Sequence, residues 1–230
     1  MDENTALAML LRARGLLYAT LSRCFGDAPD ETLIRLLSSS EFDQICAVLD
    51  DDGETLSTMQ DTLGREAAEL GAAECQRQYT ACFIGLETLV SPWESVYVTG
   101  ENLIFQPCTL SVREAYRSAG FETKSAGREP DDHIAVELDF MAKLAELAAD
   151  EFENGDVEAT LSALVASRLF LAEHLGCWIG DFSDALELTG EKGAFYWRIA
   201  RFAVGFVNND DPLLEELVAA VAERKSIARQ

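Results

Sequence analysis

Leu7, Leu10, Leu11, Leu17, Tyr18, Leu21, Cys24 and Phe25 repeat at helical spacing, and the same period returns along most of the chain. Apolar positions three and four apart mark one buried face of an α-helix. The turn Gly26-Asp27-Ala28-Pro29-Asp30 ends this first helix, and Leu33, Ile34, Leu36 and Leu37 mark a second. A short segment from Phe42 to Leu49 follows, then a turn at Asp50-Asp51-Asp52-Gly53. Its three acids lack the alternate ligands and distal glutamate of a calcium loop. Leu56, Met59, Leu63, Ala67 and Leu70 predict a helix stopped at Gly71. The next begins near Ala73 and passes through Tyr79, Cys82 and Phe83 to Gly85.

From Gly85 to about Pro107 the helical period disappears, and Pro92, Trp93 and Tyr97 fall in the gap. A loop this long in a folded domain is usually functional or disordered, and its aromatic content argues against disorder. Ser111 and Glu114 have capping-box spacing, and Gly120 closes the helix they begin. The widest apolar stripe is Ile134, Leu138, Met141, Ala145, Ala148 and Phe152, broadened by Phe140, Leu144 and Leu147, and it predicts a central helix. Pro130 suits the first turn, with Asp131 and Asp132 at the positive end of the helix dipole and His133 just inside. Two readings compete there: acids that complement the dipole beside a solvated His133–Glu137 pair, or a recognition site.

Asn154-Gly155-Asp156 turns the chain, and Leu161, Leu164, Val165, Leu169, Ala172 and Leu175 resume the period. His174, Trp178 and Phe182, spaced by fours, read as core packing. Phe195, Tyr196, Ile199, Phe202 and Phe206 mark another helix. Asp210 or Asp211 would cap a last one, with Pro212 in its first turn and Leu213, Leu214, Leu217, Val218 and Val221 inward. No strand pattern persists, Val96 to Thr99 being the nearest to one. The pattern predicts one all-α domain over residues 1–230, of roughly nine to eleven helices with a long aromatic loop.

Charge narrows the partners. Asp and Glu number 41 against 18 Lys and Arg, a formal net charge of −23. Such a field repels phosphate backbones and anionic lipid, so nucleic acid and membrane surface are poor partners and a basic peptide is a good one. No apolar run is long enough to span a bilayer. The acidic start Met1-Asp2-Glu3-Asn4 is followed by no apolar run with a cleavage site, so no signal peptide is expected. Cys24, Cys46, Cys75, Cys82, Cys108 and Cys177 are scattered, without zinc spacing. Reduced thiols in a cytoplasmic protein follow.

Catalytic constellations are sparse. The two histidines, His133 and His174, lie in no nucleophile motif, no paired Glu-x-x-His suggests a di-metal bundle, and no phosphate loop is present. Asp132, His133 and Glu137 remain as a weak single-metal set, which is the basis of an alternative reading as a metal-dependent hydrolase. The stronger reading is a binding surface. Tyr79, Phe83, Pro92, Trp93 and Tyr97 supply apolar area, while Glu129, Asp131, Asp132 and Glu137 supply negative charge. That combination suits an apolar peptide carrying arginines.

These residues also resemble a known family. Tyr79-x-x-Cys82-Phe83-x-Gly85, Pro92-Trp93-Glu94-Ser95-Val96-Tyr97, and Glu129-Pro130-x-Asp132-His133 followed by Glu137-Leu138-x-Phe140-Met141 are similar to motifs of the TorD/DmsD-type redox-enzyme maturation chaperones. The run Phe170-Leu171-x-x-His174-Leu175-x-x-Trp178 resembles that family's carboxy-terminal half. The resemblance implies an all-helical cytoplasmic chaperone without catalysis or a resident cofactor. It implies binding of the twin-arginine leader, the body, or both, of an apo-form molybdenum-cofactor reductase before export. Peptide-binding positions carry over onto Tyr79, Cys82, Phe83, Pro92, Trp93, Glu129, Pro130, Asp132 and His133. Tyr79 stands where some members have tryptophan, and Cys82 where some have leucine. Some members bind GTP weakly, although no phosphate cradle is present here. Monomer and domain-swapped dimer both stay open.

Overall fold

The computed structural model describes residues 2–50, 55–85, 88–100, 107–122 and 130–227. The turn at 51–53 and the candidate Glu129 lie outside the described residues. Ten α-helices are present among them: α1 (Glu3–Gly26), α2 (Glu31–Leu37), α3 (Ser40–Leu49), α4 (Thr55–Phe83), α5 (Glu94–Thr99), α6 (Pro107–Ser118), α7 (Ile134–Asn154), α8 (Val157–Phe170), α9 (Gly176–Glu187) and α10 (Ala194–Ile227). A π-helical turn, Leu171–Leu175, joins α8 to α9.

Short polar side chains start several of these helices by accepting an otherwise orphaned N–H. Asp2 takes that of Thr5 (2.9 Å), Asp30 that of Leu33 (2.8 Å) and Asp156 that of Ala159 (2.9 Å). Gly71 sits at φ +70°, which breaks α4 at the place its sequence predicts. The broad stripe of α7 is the centre of the packing, with α1 laid along one side and α8 along another. Leu138, Met141, Leu144, Ala145 and Ala148 on it are fully buried, and α10 closes the core from α4 to α9.

Four expectations are corrected. The supposed loop between Gly85 and Pro107 contains α5, covering the Val96–Thr99 stretch that resembled a strand. Six residues are too few to show a helical period, and the cap comes from a distant residue described below. Helix α6 begins at Pro107 rather than Ser111, using the proline at its first position. Helix α7 begins at Ile134, with His133 as its N-cap, so Pro130, Asp131 and Asp132 precede it. Finally, α10 runs unbroken through Pro212, and Asp210 caps nothing. Asp210 is instead fully buried, accepting from Arg14 Nε and Nη2 (2.5 and 3.0 Å) and Tyr18 Oη (2.7 Å). Phe206 before the proline and Leu214, Leu217 and Val221 after it are all buried, which offsets the one backbone bond that proline removes.

Candidate functional site

Residues 130–133 are held against the segment entering α5. The Glu94 N–H donates to the Asp132 carbonyl (2.9 Å) and the Ile134 N–H to the Pro92 carbonyl (2.8 Å). Trp93 and His133 thereby form an isolated antiparallel bridge, with their rings edge-on at 6.1 Å. Asp132 Oδ2 accepts the Ser95 N–H (3.0 Å), so it satisfies the first turn of α5 from across the chain. His133 caps α7 through Nδ1, which accepts the Ala135 N–H (3.1 Å). Burial pulls the His133 pKa down to about 4 against the opposing charge of Asp132. The ring is therefore neutral at neutral pH, as its capping bond requires.

Aromatic side chains pack above this frame. Phe83 and Tyr97, from α4 and α5, meet across Phe182 of α9 at 6.3 and 6.2 Å between ring centroids. Tyr97 stacks on Trp178 (5.4 Å), and its hydroxyl donates to the Ser91 carbonyl (2.7 Å). The Val90 N–H donates to the Cys82 carbonyl (3.2 Å), which folds residues 88–90 back over the end of α4. Phe83, Trp93 and Tyr97 remain half-buried, and Ile84, Leu89 and Val98 stand out at 55%, 43% and 52% exposure. Partly exposed apolar side chains thus form a rim about the ends of α4 and α5, and exposed apolar surface of this kind can mark a binding site. Asp181, exposed on α9, lies close enough for its charge to add to burial in raising the Tyr97 phenol pKa.

Beneath α5 lies a set of buried acids. Glu94, Asp131, Asp132 and Glu137 are each no more than 2% exposed. Glu137 Oε2 accepts from Trp178 Nε1 (3.0 Å), and the Glu94 carboxylate lies 3.2 and 3.3 Å from His174 Nδ1. Burial first, and then the charge of Glu94, lift the Glu137 carboxyl well above its ordinary range. Asp131 pairs with Arg113 at 2.5 Å, and its carbonyl accepts the Tyr116 hydroxyl at 2.9 Å.

The candidate residues therefore separate into two layers. Phe83, Trp93 and Tyr97 reach the surface. Tyr79, Pro92 and Pro130 are buried behind them, as is Cys82, whose thiol faces the close approach of Gly193. Asp131, Asp132 and Glu137 are buried, so there is no solvated His133–Glu137 pair, and Asp131 and Asp132 lie before the first turn of α7 rather than in it. The reason is that Asp131 and Asp132 sit in a turn before α7, with His133 bridged to Trp93, rather than inside the helix. Several participants carried no usable sequence signal. Glu94 had no assigned part, Phe182 and His174 read only as core, and Ile84, Leu89, Val98 and Asp181 sit on no periodic face.

A metal reading fits poorly. Among the described residues no group of three His, Cys, Asp or Glu converges on a point where an ion would be held. His133 Nδ1 is already an acceptor, Asp132 caps α5 and Glu137 takes the Trp178 N–H, so the proposed ligands are engaged in three different directions.

The geometry is that of an all-helical binding module, with apolar side chains outward and ionisable ones holding the frame. The family model of the nitrate reductase delta subunit matches residues 47–184. A protein named chaperone protein TorD in Vibrio cholerae is 34% identical over 128 residues, covering 55% of this chain and 56% of that one. Proteins of the same name in Aliivibrio fischeri (28% over 158 residues, 68% and 69% covered) and Shewanella oneidensis (25% over 218 residues, 92% and 95% covered) are also similar. The match thus spans a little over half of the Vibrio relatives and nearly all of the Shewanella one. The chain belongs to the nitrate reductase delta subunit family, in its TorD/DmsD-type chaperone branch. These relatives are named as chaperones, not enzymes.

Proposed function

We propose that this protein is a cytoplasmic chaperone for the maturation of a molybdenum-cofactor oxidoreductase, and that it binds the twin-arginine leader on the rim of Phe83, Trp93 and Tyr97. The observation that carries this reading is the rim itself: half-buried aromatics from two separated segments, joined across Phe182. Relatives named chaperone protein TorD support the chaperone class. Half-buried aromatics offer an apolar leader run large contact area at little cost in side-chain freedom. Asp181 beside Tyr97 offers an arginine an accessible carboxylate, and the net charge of −23 draws a basic leader inward. The buried acids support the rim by fixing α5, and no resident cofactor or metal takes part.

Titration of a fluorescently labelled twin-arginine peptide into the full chain tests this. Trp93→Ala and Phe83→Ala should each weaken binding by about 2 kcal/mol, roughly thirtyfold. Affinity should also fall as salt screens the acidic surface. Unchanged affinity in Trp93→Ala would remove the rim as the leader site. Unchanged affinity across salt would mean that apolar contact alone operates.

A further inference from the structure

Helices α4 and α10 part around an open cavity of about 440 Å³, lined among others by Met59, Thr62, Leu63, Trp197, Arg198 and Arg201. We infer that this is a second docking surface, and that its occupant is a partner-protein segment carrying a carboxylate beside an apolar side chain. The case begins with Arg201. In this acidic chain most arginines meet the chain's own carboxylates, as Arg12, Arg14, Arg77, Arg113 and Arg198 do. Arg201 is exposed and has no carboxylate partner among the described residues. Its guanidinium lies 5.9 Å from the centroid of the Trp197 ring. Arg198, 5.7 Å from the same ring, is already paired with Glu66.

An arginine held over an indole loses less rotamer freedom on binding, and its planar fork matches a carboxylate. The remaining wall mixes the polar Thr58, Thr62 and Glu187 with an adaptable apolar part. Met59 and Trp197 are half-buried, and a methionine side chain reshapes easily around a guest. Arginine, tryptophan and methionine together are the residues enriched where protein interfaces concentrate their energy. Leu188 follows the cavity-lining Glu187 and is 89% exposed, so apolar surface continues beyond the cavity. Charge complementarity selects the occupant. Among the described lining residues the cation without a carboxylate partner is Arg201; Glu66 is already engaged with Arg198, and the lining Glu187 is exposed, where solvent screens its charge. A free small anion would leave the apolar wall uncovered while meeting the repulsion of the whole chain. A peptide brings apolar area to offset that repulsion. This surface shares no residue with the leader rim.

The test is fluorescence anisotropy of the full chain with two labelled peptides, Ser-Asp-Phe-Glu-Leu-Ser and the same sequence with both acids replaced by lysine. The acidic peptide should saturate at or below about 1 mM, the weak end of specific recognition. Arg201→Glu should weaken it by about tenfold or more and favour the lysine peptide instead. The melting curve should not move, because Arg201 is exposed, and affinity for a twin-arginine leader should stay as in the parent. Absence of saturation, or equal binding of the acidic peptide by Arg201→Glu, overturns the docking surface. Displacement of the peptide by an equal concentration of inorganic phosphate overturns the peptide as occupant and leaves a small-anion site.

Discussion

Replacing Glu137 by glutamine isolates the buried acids beneath α5. Glu137 is fully buried, with Trp178 donating to one oxygen and Glu94 acting on the carboxyl. In the unfolded chain it ionises near its ordinary value of 4.5, while in the folded protein it keeps its proton to a much higher pH. The folded state therefore binds more protons than the unfolded state above pH 4.5. The contribution is full below that value and is lost as pH rises toward the folded pKa. The slope is at most about 1.4 kcal/mol per pH unit wherever the folded protein holds the proton and the unfolded chain does not. A glutamine oxygen can still accept from Trp178, and its amide can donate toward Glu94, with no proton to hold. Glu137→Gln should thus melt near the parent at pH 5 and above it at pH 7. For a chain of this size each kcal/mol of difference moves the melt by about 2–4 °C, so a gap that opens with pH is readable. Thermal melts of both proteins by circular dichroism at pH 5, 6 and 7 provide the assay. His133 contributes in the opposite sense, its stability being lost as pH falls from 6.5 toward about 4, but it is common to both proteins and cancels in the difference. A gap that does not change with pH, or a variant less stable at pH 7, would refute the account of a proton held on buried Glu137.

Asp132→Ala should leave the Ser95 N–H buried and unmet, costing about 1–3 kcal/mol and loosening α5, so that leader affinity falls together with stability. Asp132→Asn keeps an acceptor for that N–H and should retain most of both; equal losses in the two variants, by melt and peptide titration, would show that charge rather than capping matters. Arg14→Met strands Asp210 in the core and should cost about 3–5 kcal/mol, a drop of roughly ten degrees or more in the melt, whereas Arg14→Met with Asp210→Leu should recover most of it. Gly176→Ala would place a Cβ 2.5 Å from the Leu171 carbonyl oxygen, which the π-helical turn cannot move freely. A loss of about 1–3 kcal/mol is expected in a denaturant melt, and no loss would mean that the turn relaxes to an ordinary α-helix.

Periodicity made the long helices legible because each buries a stripe that repeats every three or four residues, as α1 and α7 do from Leu7 to Phe25 and from Ile134 to Phe152. The break at Gly71 was legible for the same local reason, a residue without a Cβ where the backbone turns left-handed. Trp93 and Tyr97 could be named because large apolar side chains in an aperiodic segment need a use, and Phe83 because it ends the helix just before that segment. What the chain order hid were features whose cause lies far away in sequence. Helix α5 forms because Asp132 caps it, so its start carries no signal of its own, and Pro92 holds the bridged entry to α7, which moves that start from Pro130 to Ile134. Pro212 reads as a helix beginning until Arg14 and Tyr18 are seen to bury Asp210 in the middle of α10. The acids at 131, 132 and 137 read as surface charge because their composition is that of a solvated cluster. Only the tertiary structure brings α5, Trp178 and His174 over them, and burial turns the same carboxyls from a charged surface into the frame behind it.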